Sequence, residues 1–186
     1  MKRKITTLEM VQCALFTALT AIGAFIQIPV PGMDYFTLQF FFVLMAGMLL
    51  GKSLGALAVG VYVLLGLAGL PIFAAGGGIT YIFRPSFGYL VGFIVTAFVA
   101  GLVFEKVSLT GVKKGLVAAF AGLIVCYVIG LTYKYLMLNL YVGEKTALVM
   151  VLMDCFPIDL PGDIFLSIVA AICGSRLKPV LARINS

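Results

Sequence analysis

The sequence predicts an all-α integral membrane protein with six transmembrane helices, forming a single membrane domain over residues 1–186. Two observations carry this prediction. The chain is 63% hydrophobic and 11% charged, whereas soluble domains average about 45–50% apolar and about 25% charged residues. Its apolar stretches are continuous rather than alternating, which argues against a transmembrane β-barrel.

Breaks rich in proline, glycine and charged residues separate the six predicted spans. They are 7–28, 36–51, 53–70, 86–104, 115–137 and 163–177. A membrane-crossing helix needs roughly 17–25 residues, so the second and sixth spans are short. A further apolar piece at 146–153 could lengthen the sixth region, lie along the surface or pack inside the fold.

The distribution of positive charge predicts the orientation. With the amino terminus inside, ten of the 13 Lys and Arg residues lie on the inner side, so the positive-inside rule puts both termini in the cytoplasm. The net charge of +6 follows mostly from this topology, and no clustered basic face for a nucleic acid is present. Lys2 to Lys4 before an apolar run also resembles a signal peptide, but with five later spans we expect the first helix to remain as an anchor.

The first span carries a pair of small residues, Ala14 and Ala18, one helical turn apart. Small residues at this spacing allow another helix to approach closely, which drives association in lipid. That helix could belong to a partner protein or to the same chain, and the spacing alone does not decide between them. Gly47, Gly51 and Gly55 offer similar small faces.

A glycine-rich loop joins two apolar spans. Gly76, Gly77 and Gly78 have no Cβ, so their backbone amides can come close to a ligand. Arg84 and Tyr89 follow shortly afterwards. A guanidinium between two membrane-length stretches is costly, which by default indicates a functional site.

A second polar segment, from Asp154 to Phe165, precedes the last span. Asp163 could cap that helix or accept hydrogen bonds from N–H groups of a ligand. Asp159 lies four residues earlier, so a paired-carboxylate acid/base site is an alternative. Intramembrane aspartyl proteases carry G-x-G-D on one helix and a second aspartate on another. This chain has Leu160 at the first glycine of that motif, which disfavours a protease.

The remaining composition favours binding over catalysis. The chain has no histidine and four cysteines without a C-x-x-C pair, so metal sites, a disulfide framework and histidine-activated nucleophiles are disfavoured. No Walker A motif occurs, so we expect no ATP hydrolysis by the chain itself. We expect no catalytic residues, no metal and no cofactor.

Three segments resemble the BioY family. They are GLAGLPIFAAGGG, the following RPSFGYLVGF, and LPGD before the last span. The segment VPGMDYFTLQFFFVLMAGMLLG is similar to the family's second-helix entry, and the Ala14–Ala18 pair matches the small-residue motif that such proteins present to a membrane partner. The resemblance covers essentially the whole chain. BioY proteins are the biotin-binding S-components of energy-coupling-factor transporters.

The resemblance implies a six-helix S-component fold in a prokaryotic cell membrane, with a biotin pocket near the outer surface. The implied partners are a transmembrane coupling subunit and two cytoplasmic ATPases. The ureido N–H groups of biotin would donate to Asp163, and the ureido carbonyl would accept from Tyr89, Gln39 or loop amides. Phe73 and Phe87 would supply apolar walls, together with Ile79 and Tyr81.

The chain departs from the family pattern at two positions. Many relatives have a lysine three residues after P-G-D, where this chain has Leu166, and many have a small residue in place of Arg84. We infer that Arg84 supplies the cation for the biotin carboxylate. An S-component for another vitamin is the nearest alternative, and an intramembrane aspartyl enzyme is the alternative from another class.

Overall fold

The structure, a computed structural model, describes residues 5–29, 35–143, 145–155 and 159–184. Within these ranges the chain is mostly helical. The helices are α1 Thr7–Phe25, α2 Gln39–Leu50, α3 Lys52–Leu67, α4 Phe87–Lys106, α5 Gly111–Leu136, α6 Leu148–Cys155 and α7 Asp159–Ile184. A short 3₁₀ helix, Ile79–Phe83, precedes α4, and a π-helical turn, Met137–Val142, extends α5.

Four of these segments are long and apolar enough to cross a membrane. They are Thr7–Phe25, Phe87–Lys106, Gly111–Val142 and Asp159–Leu181. The helices α2 and α3 are apolar but shorter. The described segments thus agree with an all-helical membrane protein, while six complete spans and cytoplasmic termini stay predictions.

A short hairpin interrupts the otherwise helical chain. Strand β1, Gln27–Pro29, pairs antiparallel with β2, Tyr35–Thr37, and Gln27 lies opposite Thr37. The predicted first span 7–28 is therefore too long, because α1 ends at Phe25. Pro29 is compatible with this end, because a proline has no N–H to bond the carbonyl four residues earlier, which is that of Phe25.

The last long helix also differs from its prediction. α7 begins at Asp159 and continues past Pro179, so the predicted span 163–177 is too short at both ends. Pro161 is tolerated because it lies in the first turn, where its missing N–H has no helical partner. Asp163 consequently lies in the second turn, and the interpretation of this residue as the cap that starts the helix is wrong.

The apolar piece at 146–153 forms a separate helix, α6. Val151 is buried, whereas Leu148, Val149 and Met150 are exposed. The helix therefore contacts the rest of the fold through one side and does not lengthen α7.

Close glycine contacts hold the two short helices inside the bundle. A Cβ at Gly47 would lie 2.3 Å from the carbonyl oxygen of Ala97, and one at Gly55 would lie 2.7 Å from that of Ala46. The glycine faces of α2 and α3 are thus used within the chain, because a side chain there would collide with a neighbouring backbone.

The loops collect at two ends of the bundle, one around Lys52, Glu105 and Lys178 and the other around the hairpin and the start of α7. At the end where α1 begins and α7 ends, the Glu105 carboxylate accepts from the Lys52 backbone N–H at 3.1 Å and forms a 3.3 Å ion pair with its ammonium. Lys178 donates to the Leu49 carbonyl at 2.7 Å. The hairpin, the glycine-rich loop and the start of α7 meet at the opposite end.

Candidate functional site

A cavity opens at the end of the bundle where the hairpin and the start of α7 lie. Its volume is about 100 Å³, and the space that includes the open mouth is about 700 Å³. The walls come from β2, the starts of α2, α4 and α7, the middle of α5 and the loop before α4. The lining residues are Tyr35, Phe36, Thr37, Gln39, Phe40, Ala74, Tyr81, Ser86, Tyr89, Leu90, Phe93, Tyr127, Asp159 and Asp163.

A carboxylate held by a phenol is the central polar feature of this cavity. The hydroxyl of Tyr127 donates to Oδ2 of Asp163 at 2.9 Å. This bond joins α5 to α7 and orients the carboxylate. Because a carboxylate has about four acceptor positions, Asp163 retains capacity to accept from a ligand.

A second carboxylate lies one turn earlier on α7. Oδ1 of Asp159 is buried and has no hydrogen-bond partner among the residues that the structure describes. A buried acceptor without a partner is costly, so a donor from a ligand would stabilise it. The cavity is therefore suited to a ligand that presents N–H groups.

The predicted residue Gln39 lines the cavity but is held firmly by its neighbours. Thr37 Oγ1 donates to Gln39 Oε1 at 3.1 Å, and Gln39 Nε2 donates to the Tyr62 hydroxyl. The Tyr62 hydroxyl in turn donates to the Ile72 carbonyl at 3.1 Å. This chain of bonds connects β2, α2 and α3 to the loop before α4, so it makes this wall rigid.

The predicted residue Tyr89 also lines the cavity. Its ring meets that of Tyr127 edge-on, with 6.0 Å between the centroids. A Cβ at Gly130 would lie 2.5 Å from the Tyr89 ring, so only glycine at that position of α5 lets this ring sit against the helix. The two tyrosines form an aromatic wall beside Asp163.

The predicted residue Arg84 lies outside the lining, on the loop between the 3₁₀ helix and α4. Its guanidinium carbon is 5.3 Å from the centroid of the Tyr81 ring, and Tyr81 itself is a lining residue. Arg84 is therefore one side chain removed from the cavity.

The three predicted glycines shape the loop from behind the cavity wall. Gly76 exchanges two backbone hydrogen bonds with Phe73, and the Gly78 amide donates to the Gly66 carbonyl at 2.7 Å. A Cβ at Gly77 would lie 2.1 Å from the Leu70 carbonyl oxygen. The amides of Gly76 and Gly78 are thus used inside the loop, and none of the three glycines lines the cavity. Their contact with a ligand stays a prediction.

The predicted walls Phe73 and Phe87 are both buried outside the lining. Phe73 packs its ring 4.7 Å from that of Tyr81, and Phe87 packs 5.8 Å from Tyr133. They therefore support the cavity through the aromatic residues in front of them.

Tyr127 is the residue that sequence reasoning missed. It lies in the middle of an apolar helix, where a tyrosine is equally compatible with core packing. Its spacing to Gly130 and Lys134, three and seven residues later, is a helical-face signal that could have identified it. The aromatic residues of β2 were missed because the hairpin itself was not predicted.

The predicted small-residue pair lies away from the cavity. Ala14 and Ala18 are exposed and line a shallow apolar groove between α1 and α3, together with Leu57, Val61 and Leu65. Among the described residues, nothing in this chain covers that groove.

A family model and individual relatives place this chain in the same family. The family described as the BioY family matches residues 1–183. A Lysinibacillus sphaericus protein described as a probable biotin transporter is 42% identical over 97% of this chain and 91% of its own length. The biotin transporter of Thermotoga maritima is 40% identical over 91% of this chain and 95% of its own length.

A solved structure extends this relationship to three dimensions. The crystal structure of the S-component for biotin from an ECF-type ABC transporter has a TM-score of 0.73 with this chain, at 26% identity and 95% coverage of both chains. The helical architecture is therefore that of an S-component.

Proposed function

Because the chain belongs to the BioY family, we propose that it is the biotin-binding subunit of an energy-coupling-factor importer. The observation that carries this proposal is the Asp163 carboxylate, oriented by Tyr127 at 2.9 Å inside an aromatic cavity. A ureido ring offers two N–H donors on an otherwise compact apolar body, and Asp163 with the buried Asp159 oxygen supplies acceptors for them.

The cavity chemistry also separates this proposal from the alternatives. Asp159 and Asp163 lie on the same helix, and α7 supplies every carboxylate among the described lining residues. An aspartyl protease needs aspartates from two helices. Relatives named as biotin transporters and a solved biotin S-component favour biotin over another vitamin.

Purification and calorimetry test the proposal directly. We expect biotin to bind saturably to the purified protein and to co-purify with it from cells that contain biotin. Thiamine and riboflavin are the matched controls, and neither should bind. Binding of one of these vitamins without biotin would instead assign the chain to an S-component of different specificity.

The transport context completes the proposal. The chain would span the cell membrane six times with both termini in the cytoplasm, which the bias of Lys and Arg toward the termini-bearing end supports. Biotin would enter the cavity from outside. A transmembrane coupling subunit and two cytoplasmic ATPases would then drive its release inward.

Arg84 is proposed to favour the anionic form of the ligand from the rim of the cavity. We expect Arg84→Ala to weaken biotin more than its methyl ester, because a charge-assisted contact to the valerate carboxylate is lost only with the acid. Calorimetry with both ligands measures the difference. Equal weakening of both would make Arg84 a structural residue that supports Tyr81.

A further inference from the structure

A small basic pocket lies at the end of the bundle opposite the cavity. Its volume is about 240 Å³, several times the roughly 30 Å³ that one water molecule occupies in the liquid. The charged residues of its described lining are Lys114 and Lys178, and no acid is among them. Lys178 also lines a neighbouring pocket, where Glu105 pairs with Lys52 at 3.3 Å. The basic pocket is therefore suited to an anion.

The start of α5 and the last part of α7 pack closely beside this pocket. Ser175 Oγ donates to the Gly111 carbonyl at 2.9 Å. One turn farther along α5, a Cβ at Gly115 would lie 2.5 Å from the carbonyl oxygen of Ala171. The contacts move forward along α5 as they move back along α7, so the two helices are antiparallel here.

This packing directs both lysine side chains into one space. Lys114 follows Gly111 by three residues, and Lys178 follows Ser175 by three, so each lysine shares a helix face with a residue of the contact. Helical side chains lean toward the N-terminus of their own helix. In antiparallel helices these directions are opposite, and the two lysine side chains therefore approach each other across the Gly111–Ser175 contact.

Both ammonium groups are held in place and still have N–H groups for a ligand. Lys114 Nζ lies 5.2 Å from the centroid of the Phe104 ring, and Lys178 donates to the Leu49 carbonyl at 2.7 Å. A lysine ammonium has three donors and no acceptor. These contacts therefore orient the two cations without using all of their donors.

The pocket lies at the level where membrane-length segments begin and end. Phe87–Lys106 and Asp159–Leu181 end here, and Gly111–Val142 begins here. The apolar side chains of Leu109 and Val180, beside the lysines, are exposed. An anion in this pocket would lie at the depth of the lipid headgroups, with apolar protein surface next to it.

We propose that this pocket binds the phosphate headgroup of an anionic phospholipid. Lys114 and Lys178 supply the charge, and Leu109 and Val180 contact the acyl chains. Basic pockets between transmembrane helices on the cytoplasmic side are suited to such headgroups, and the bias of Lys and Arg favours the cytoplasmic side for this end of the bundle. A bound lipid would join α4, α5 and α7 at one end of the bundle.

Native mass spectrometry of the purified protein tests this site with dioleoyl phosphatidylglycerol as the anionic lipid. We expect the double variant Lys114→Gln and Lys178→Gln to weaken its binding by about 10- to 30-fold, because each basic residue near the surface contributes about fivefold. The single variant Lys114→Gln keeps the bond from Lys178 to Leu49 and should lose about fivefold. Replacing both lysines with arginine keeps the charges and should retain the binding.

Lys113→Gln with Arg176→Gln is the matched control. These residues are exposed, lie one and two residues from the pocket lysines and are outside the described lining. The control removes the same total charge, but salt screens exposed charges, so we expect a loss of no more than about threefold. Equal losses in the two double variants would mean that the whole basic surface attracts the lipid, and would overturn the pocket.

Two further probes identify the chemistry of the ligand. Dioleoyl phosphatidylcholine has the same acyl chains with a zwitterionic headgroup, and its binding should not respond to the loss of Lys114 and Lys178. sn-Glycerol 3-phosphate has the phosphate without acyl chains and should bind much more weakly than phosphatidylglycerol. Equally tight binding of this soluble phosphate would overturn the assignment to a lipid. None of these measurements depends on biotin, so their outcome is separate from that of the proposed function.

Discussion

Replacing Asp163 with asparagine is expected to weaken biotin binding by about 5- to 150-fold, which corresponds to about 1–3 kcal/mol. The carboxylate accepts from Tyr127 at 2.9 Å with one oxygen and can accept from ligand N–H groups with its remaining lone pairs. The asparagine amide has one oxygen and one NH₂ group, so it must direct an N–H donor at either the Tyr127 hydroxyl or an N–H group of the ligand. One buried group is then left without a partner, and the resulting loss should appear in calorimetry of the purified variant.

The Tyr127→Phe variant is the control for this result. It removes the supporting hydrogen bond and keeps both acceptor oxygens, so we expect a smaller loss of affinity than for Asp163→Asn. Gel filtration and circular dichroism should show that both variants remain folded. Wild-type affinity in Asp163→Asn would mean that this carboxylate serves only to join α5 and α7.

Replacing both Ala14 and Ala18 with tryptophan is expected to abolish biotin uptake without affecting biotin binding. The two side chains are exposed in the groove between α1 and α3, and small residues there allow a partner helix to approach closely. Two indole rings would fill the groove. Pull-down of the coupling subunit and ATP-dependent uptake should therefore fall together, while the solitary subunit still binds biotin.

A matched double variant on another exposed helix face separates this effect from a general one. Ile168 and Ile172 of α7 are 40% and 37% exposed and have the same four-residue spacing. Their double replacement with tryptophan should leave complex formation and uptake unchanged. Normal complex formation by the Ala14 and Ala18 variant, together with lost biotin binding, would mean that the partner docks elsewhere and that the groove supports the cavity.

The membrane class and the general order of helices could be read from the sequence, because hydrophobicity is a local property of each segment. The ends of the helices were less predictable. Pro29 stops α1 before the end of its apolar stretch, whereas Pro161 is accommodated inside α7. A first turn accommodates a proline without loss of a hydrogen bond, whereas a proline in a helix interior removes one and kinks or breaks the helix, and only the structure shows which situation applies.

The candidate site was likewise predictable only in part. Asp163, Tyr89 and Gln39 stand out in the sequence as polar residues at the margins of apolar spans, and all three line the cavity. The glycine triplet also stands out, but the amides of Gly76 and Gly78 donate to the backbone carbonyl groups of Phe73 and Gly66. A run of glycines shows that the backbone can closely approach another group, but it does not show whether that group belongs to a ligand or to the same chain.

The sequence by itself therefore determined that this protein lies in a membrane, which family it resembles and which polar residues could bind a ligand. The tertiary structure decided which of them meet. Tyr127 and Asp163 are 36 residues apart, and their hydrogen bond depends on the register between α5 and α7. A helix rotated by about 100° per residue presents a different face after each small shift, so such pairings follow from how whole helices pack and not from any local pattern.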